Sequence, residues 1–402
     1  MRITDIKAAV VEGNFDWTLV RVETDASLVG HGETRNHFRT QTEAYADSRE
    51  LAWQLRPWLV GADPTDVEVL ARRIRRFGGR GKRGGGVSAV ETALWDITGQ
   101  ALGVPVWKLL GGKVRDRVRI YCDCRAGRPV IDCERDYNLS EPVYTPAAYA
   151  QHARHVEALG FTALKFDLFG DVLSGSKPVA SLVPGGWHDG HITERGIDYQ
   201  AEIVAAVRAA VRPETELAFD CAVFGSVDEA LRFGRKVDHL NLAWLEDLLP
   251  DHDVAGLAEC TAQLDTPTLI GENVYTAAGF HELMARRAVR IPAPDLTTVG
   301  GIGETRKTAA LAELYGLKVA PHFAGSPVGM LACVHAAAAI PNLVAVEFHA
   351  VGTPWWDTLL TGIPKPLIQD GAIVVPDTPG LGLELDPAVF AEHAKPGCGT
   401  FI

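Results

Sequence analysis

The sequence predicts an α/β fold: a TIM-type barrel of alternating strands and helices, preceded by a smaller α+β domain. Two observations carry this reading. Asp220, Glu246, Glu272, Asp295, His322 and Glu347 recur with gaps of 26, 26, 23, 27 and 25 residues. A strand, a loop and a helix together use about that many residues in a (β/α)8 barrel of roughly 250 residues. Most of the six also sit at or near the end of a short apolar run, such as Leu217-Ala218-Phe219 before Asp220, Leu242-Ala243-Trp244-Leu245 before Glu246, and Leu269-Ile270 before Glu272. Polar residues that end successive strands converge on one site at the C-terminal face of a barrel. Surface acids that merely followed strands would not fall in register on consecutive units. At 402 residues the chain is also too long for one ordinary core and suits a barrel plus a second domain.

The elements follow in order. Ile3-Thr4-Asp5-Ile6 starts a strand; Val20, Val22 and Thr24 then interleave with Arg21 and Glu23. After a turn at Asp25-Ala26-Ser27 comes Leu28-Val29-Gly30-His31, so antiparallel strands joined by a hairpin are expected. Residues 40–112 read as helical, most clearly 88–102. There Ser88 and Glu91 have capping-box spacing, and Val90, Ala93, Leu94, Ile97 and Ala101 form one apolar stripe. Gly103 suits the left-handed cap and Pro105 prevents continuation. Strands followed by helices make 1–116 an α+β domain.

From 117 to 365 the pattern is βαβα, with strands expected at 119–122, 163–168, 217–221, 242–246, 268–272, 295–299, 318–322 and 344–348. Helices intervene, among them 147–159 and 201–211. Connections 123–145 and 169–197 are overlong, and such loops are commonly functional. The second carries Trp187, His188 and His191 and leaves the C-terminal end of a strand, so it should overhang the site. Segment 366–402, with Pro376, Gly380 and Gly382, holds no barrel unit and is expected to return to the N-terminal domain.

Composition excludes several functions. The formal charge of −12, from 39 basic and 51 acidic residues, argues against nucleic acid or an anionic membrane as partner. No apolar run approaches the roughly 18–20 residues of a membrane span, and no signal-peptide pattern opens the chain, so the cytoplasm is the expected compartment. Seven cysteines are an odd number and no disulfide framework. Cys122, Cys124 and Cys133 read as buried thiols, because no second Cys or His pair follows at zinc-finger spacing. The stretch 72–86 interleaves Arg and Lys with Gly as RNA-binding segments do, but has one aromatic, Phe77. It is no P-loop, since Arg83 and not Ser or Thr follows Lys82.

The order Asp220, Glu246, Glu272 on successive strands, then Asp295 and His322, resembles the mandelate racemase/muconate lactonizing enzyme branch of the enolase superfamily. So do Ala93-Leu94-Trp95-Asp96-Ile97, Gly103-Val104-Pro105-Val106 with Leu109-Leu110-Gly111-Gly112, Trp244-Leu245-Glu246-Asp247, and Gly271-Glu272. The resemblance covers nearly the whole chain. It implies a modified (β/α)7β barrel under an α+β capping domain formed by the N-terminal region and the C-terminal tail. It also implies one Mg²⁺ per chain on Asp220, Glu246 and Glu272, and a His322–Asp295 dyad as general base.

The residue chemistry is compatible with this. Three carboxylates suit Mg²⁺, which prefers hard oxygen ligands and keeps positions open for water and substrate, whereas zinc more often recruits His or Cys. A cation there stabilises the charge that develops when a proton is removed beside a carboxylate. His322 can take that proton near neutral pH while Asp295 holds its ring. Glu347 would donate a hydrogen bond to the substrate carboxylate if burial raised its pKa, or else form a structural ion pair. His349, two residues on, points the same way along a strand.

In Leu164-Lys165-Phe166-Asp167, Lys165 and Asp167 face inward together and are expected to pair, which keeps Lys165 protonated. Racemases of the resembled family usually carry Lys-x-Lys here. Cys221 and Ala222 follow Asp220, where many relatives place a His or Asn two residues on. Both departures weigh against two-base racemisation and favour loss of water. The expectation is therefore a lyase, an acid-sugar dehydratase making a 2-keto-3-deoxy sugar acid. The alternative is a racemase, epimerase or cycloisomerase using the same metal and His322, with Lys165 or Asp167 on the opposite face. Asp167, His349, Trp187 and Arg125 are the candidate substrate contacts, with specificity in 14–17, 78–86 and the two long loops. Expected partners are a small sugar acid and further copies of the chain in a homo-oligomer.

Overall fold

The computed structural model describes residues 1–36, 54–77, 85–124, 144–168, 180, 183–222, 224–399 and 401. Strands β1 (Ile3–Glu12), β2 (Asp16–Thr24) and β3 (Val29–Asn36) form an antiparallel sheet in that order. Val20 and Val22 are buried while Arg21 and Glu23 are half-buried, as the alternation requires, and Ser27 turns the hairpin at a φ of 59°. Helices Val67–Arg75 and Gly85–Leu102 share a core with the sheet through Leu70, Ile74, Val90, Ala93, Leu94 and Ile97. Strand β3 and the longer helix approach so closely that a Cβ on Gly30 would lie 2.1 Å from the Ala93 carbonyl oxygen. Only glycine fits there.

The capping box read at Ser88 is not one. The helix starts at Gly85, and Ser88 and Glu91 are buried within it. The Ser88 hydroxyl accepts a hydrogen bond from Gly300 N–H at 2.9 Å, and the Glu91 carboxylate accepts from Ile302 N–H and Gly303 N–H, both at 2.8 Å. The local pattern was right in chemistry and wrong in partner: these side chains satisfy the start of a barrel helix far along the chain.

The barrel begins with β4 (Arg117–Asp123) and β5 (Ala163–Asp167). A small hairpin follows, β6 (Trp187–His188) with β7 (His191–Ile192). Then come β8 (Glu216–Asp220), β9 (Trp244–Glu246), β10 (Thr268–Ile270), β11 (Ile291–Pro292) and β12 (Val346–Phe348). Parallel pairing runs in the order β11-β10-β9-β8-β5-β4-β12. The extended segment 319–322 closes the ring: Ala320 N–H donates to the Pro292 carbonyl and Glu347 N–H to the Pro321 carbonyl, each at 3.2 Å. Among the described residues, seven helices longer than four residues follow the strand positions, from Pro146–Ala158 to Pro327–Ala338. β12 is followed by the short turn Trp356–Leu359 in place of an eighth barrel helix, which gives a (β/α)7β pattern. Helix Glu194–Ala210 starts seven residues earlier than the expected 201, with Thr193 as its N-cap, and so shortens the connection before it.

Strand 295–299 is corrected. β11 ends at Pro292, and Asp295 is the N-cap of the four-residue helix Leu296–Val299, accepting from Thr297 N–H. Pro294-Asp295 followed by Thr297 is helix-start chemistry, which outweighs the β-branched content of the run.

One alternation places the site. Tyr121, Ala163, Ala218, Trp244, Leu269, Ala293, Ala320 and Ala345 form a buried cluster inside the barrel. Two residues beyond seven of these stand Asp123, Lys165, Asp220, Glu246, Asp295, His322 and Glu347. Every second residue of a strand shares a face, so these polar groups form the next layer toward the C-terminal ends. Glu272 is the exception, three residues after Leu269, and Gly271 between them takes a φ of 144°.

The tail returns to the capping sheet, with a barrel contact on the way that the sequence did not suggest. β13 (Leu360–Thr361) pairs with β15 (Glu384–Leu385), while β14 (Ala372–Val374) adds antiparallel to the start of β4. After helix Pro387–His393, Ala394 bridges to Val11 and Lys395 N–H donates to the Val10 carbonyl at 2.8 Å.

Candidate active site

His322 and Asp295 come together. Nδ1 of His322 lies 2.8 Å from Oδ2 of Asp295, and both side chains are buried. The other carboxylate oxygen, Oδ1, accepts from Thr297 N–H at 2.8 Å and Oγ1–H at 2.6 Å. With Asp295 held in this way, its free oxygen can accept from Nδ1–H, which leaves Nε2 as the ring nitrogen that faces the strand ends. Nε2 points into the barrel mouth, 2.8 Å from Glu272 Oε2 and 3.6 Å from Glu347 Oε2.

Asp220, Glu246 and Glu272 stand at or just past the ends of the adjacent strands β8, β9 and β10, with Asp220 and Glu246 paired in register. Burial and then the charge of Glu246 push the Asp220 carboxyl well above the usual carboxylate range. Asp247 next to Glu246 is raised by burial and by Glu272 and Glu246. Its backbone sits at a φ of 48°. Such mutual repulsion among oxygen donors fits a bound divalent cation, whose charge would relieve it. A cavity of about 250 Å³ lined by Asp247, Glu272, Asn273, Ala222 and Phe224 opens beside them.

Lys165 is 1% exposed at the centre of the layer. Its ammonium lies 2.7 Å from Glu347, 3.0 Å from Glu246 and 3.4 Å from Asp123. These three replace Asp167, the partner expected from the sequence, because the barrel brings strand ends together that are distant in the chain. Burial alone would lower the lysine's pKa, but Glu246, Glu347 and Asp123 outweigh it and hold the ammonium well above its ordinary range. Glu347 is itself raised by burial against the pull of Lys165 and His322. It accepts from Tyr121 O–H and Phe323 N–H, both at 3.1 Å, and is ion-paired to Lys165. Asp167 ends β5 in register with Asp220, and its carbonyl accepts from Tyr149 O–H at 2.8 Å.

Asp123 was missed. It ends β4 two residues after the inward Tyr121, which an alternation carried one step beyond Cys122 would have found. Its Oδ2 lies 3.1 Å from His349 Nε2. Asp123, Glu347 and His349 are compact enough to hold an ion, with ligand atoms within 4.8 Å of one another. The Lys165 ammonium already supplies positive charge to two of them. The capping turn reaches the same place: Asn14 Nδ2 donates to the His349 carbonyl at 3.0 Å, and the Phe15 ring meets the His349 ring edge-on at 5.3 Å.

Trp187 is half-buried in the β6–β7 hairpin, packed against the main core. His188 and His191 are exposed, with His191 3.5 Å from Glu229. Among the described residues, none of these three is hydrogen-bonded or ion-paired to the strand-end groups. Arg125, Cys133 and residues 78–84 fall outside the described residues. Cys122 and Cys124 are buried thiols that donate to backbone carbonyls. Among the described residues, no helix is long and apolar enough to cross a membrane.

Residues 148–389 match the family model described as enolase C-terminal domain-like. Residues 8–111 match that of the mandelate racemase/muconate lactonizing enzyme N-terminal domain. The chain is 38% identical to a D-xylonate dehydratase of Haloferax volcanii over 98% of this chain and 89% of that protein. It is 30% identical to a D-galactonate dehydratase of Verminephrobacter eiseniae, covering 94% and 91%. Among solved structures it is similar to a mandelate racemase/muconate lactonizing enzyme-like protein from Rubrobacter xylanophilus, with a TM-score of 0.87, 36% identity, and 99% and 98% of the two chains covered.

Proposed function

Because this chain belongs to the mandelate racemase/muconate lactonizing enzyme branch of the enolase superfamily, we propose that it is a lyase, a Mg²⁺-dependent dehydratase that converts a sugar acid to a 2-keto-3-deoxy acid. The observation that carries the reading is an asymmetry. One side of the site holds a base oriented by a carboxylate, His322 with Asp295. The other holds a lysine bound by three carboxylates. The two relatives named above are dehydratases of sugar monoacids, which supports that substrate class.

Asp220, Glu246 and Glu272 would hold the cation, whose charge stabilises negative charge developing on the substrate carboxylate. His322 Nε2 removes the proton from the carbon next to that carboxylate, and Asp295 stabilises the imidazolium that results. The electron pair released from this C–H bond forms the new carbon–carbon double bond as the C–O bond at the neighbouring carbon breaks. That hydroxyl departs as water with one proton taken from solvent, His322 returns the abstracted proton to solvent, and the enol tautomerises to the 2-keto acid. Lys165 stays charged throughout and contributes electrostatically.

Racemisation needs a second base on the opposite face. Lys165 cannot readily accept a proton while three carboxylates stabilise its charged form, which disfavours the isomerase reading. The test is a panel of aldonic and aldaric acids, D-xylonate and D-galactonate among them, incubated with Mg²⁺ and assayed for 2-keto-3-deoxy acid. Release of keto acid from one or a few members supports the proposal; none from any member, with a folded metal-loaded protein, refutes it.

A further inference from the structure

Glu33 lies on β3 of the capping sheet, 1% exposed, and its carboxylate reaches into the barrel. Oε1 accepts from Ser326 N–H at 2.8 Å, and Oε2 accepts from Ser326 Oγ–H at 2.5 Å and Gly329 N–H at 2.9 Å. These groups open helix Pro327–Ala338, of which Ser326 is the N-cap. Only Phe323, Ala324 and Gly325 separate Ser326 from His322. The same short segment is tied twice more: Phe323 N–H donates to Glu347, and Trp356 Nε1–H donates to the Gly325 carbonyl at 3.0 Å. Nothing can slide between cap and segment, since a Cβ on Gly325 would fall 2.4 Å from Glu33 Oε1.

We propose that Glu33 is a positioning residue for proton abstraction: through this carboxylate the capping domain fixes segment 322–326 and thereby the direction of the His322 imidazole. The inference rests on the reading of His322 as the base. It makes the geometry of abstraction depend on a docked cap, because no barrel residue supplies these acceptors to Ser326 and Gly329 among the described contacts. A misplacement near 1 Å is enough to lower a rate by about a hundredfold.

Glu91 provides the control. It is equally buried, comes from the same domain and also binds the start of a barrel helix, at Ile302 and Gly303. Burial pushes both carboxyls up to about 7. Glu91, however, is separated from Asp295 by helix Leu296–Val299, and among the described residues it has no hydrogen bond to 322–326. A role in docking alone would make the two glutamates equivalent.

The experiment compares Glu33→Gln and Glu91→Gln in the Mg²⁺-loaded full-length protein, using the aldonic acid that wild type dehydrates fastest. It reads kcat, KM, exchange of the α-proton with solvent deuterium, and thermal midpoint. Glu33→Gln is expected to lower kcat and α-proton exchange together by about ten- to a hundredfold with KM within about twofold. Glu91→Gln should lose comparable thermal stability with kcat within about twofold. Equal losses of kcat in the two variants, or wild-type kcat in Glu33→Gln, overturn the proposal. Should Glu33→Gln not fold, Ser326→Ala removes one of the three bonds, and wild-type kcat and exchange in that variant overturn it equally. Retained exchange in His322→Asn would instead mean that the base itself is misassigned, a failure distinct from that of Glu33.

Discussion

Asp295 joins Thr297 to His322: one carboxylate oxygen accepts both hydrogen bonds from Thr297, leaving the other 2.8 Å from the imidazole. An amide cannot do both. In Asp295→Asn either the NH₂ group faces His322 Nδ1 and selects the wrong tautomer, or it faces the Thr297 N–H. Turnover should fall by about a hundred- to ten-thousandfold and remain measurable, because the ring is displaced and not removed. Steady-state kcat checks this, and an unaffected kcat would remove Asp295 from the dyad.

Chelation of divalent metal should abolish turnover, and Mg²⁺ should restore it better than Zn²⁺, since three carboxylates offer no soft or nitrogen ligand. Glu246→Gln should keep the fold and lose activity, measured as keto-acid release at saturating Mg²⁺. Normal turnover in that variant would mean that the ion binds elsewhere.

Lys165→Met leaves Asp123, Glu246 and Glu347 buried without their shared cation. Removing one member of a buried ionic cluster is destabilising by about 3–5 kcal/mol, because the remaining charges are left uncompensated. Urea unfolding of the metal-free protein measures this. Turnover should also fall, with the same α-epimer of the substrate still the one that reacts.

The strand-end acids were legible because each closes or closely follows an apolar run and the run repeats at barrel spacing. Period-two alternation likewise placed Lys165 on the inner face. Its partners were not legible, since Glu246 and Glu347 come from other strands 81 and 182 residues on. Ser88 and Glu91 show the same limit in reverse. Their spacing matches a local cap, yet they bind residues more than 200 positions away. Asp295 was found by spacing while its element was misread, because a proline-led helix start and a short β-branched strand look alike over five residues.

His335 gives a pH signature. It is fully buried, and its Nδ1 accepts from Trp107 N–H at 3.3 Å, so that nitrogen must stay unprotonated, while Nε2 lies 3.2 Å from the Leu381 carbonyl. Burial lowers its pKa from 6.5 to about 4. The folded value lies below the unfolded one, so this stabilisation is present above about pH 6.5 and is lost as pH falls through 4. Between pH 7 and 4.5, wild type should lose about 2–3 kcal/mol more stability than His335→Gln. Urea titrations of both proteins at the two pH values check it; equal losses would mean that His335 is not held neutral.

Proton NMR of the Mg²⁺-loaded wild type in D₂O, given an aldonic acid substrate and separately its α-epimer, decides between elimination and isomerisation. With a single base at His322 and Lys165 held protonated, one epimer should yield a 2-keto-3-deoxy acid while the other stays unreacted, with no equilibration between them. Interconversion of both epimers, with no keto acid formed, would contradict the dehydratase reading and establish a second base opposite His322.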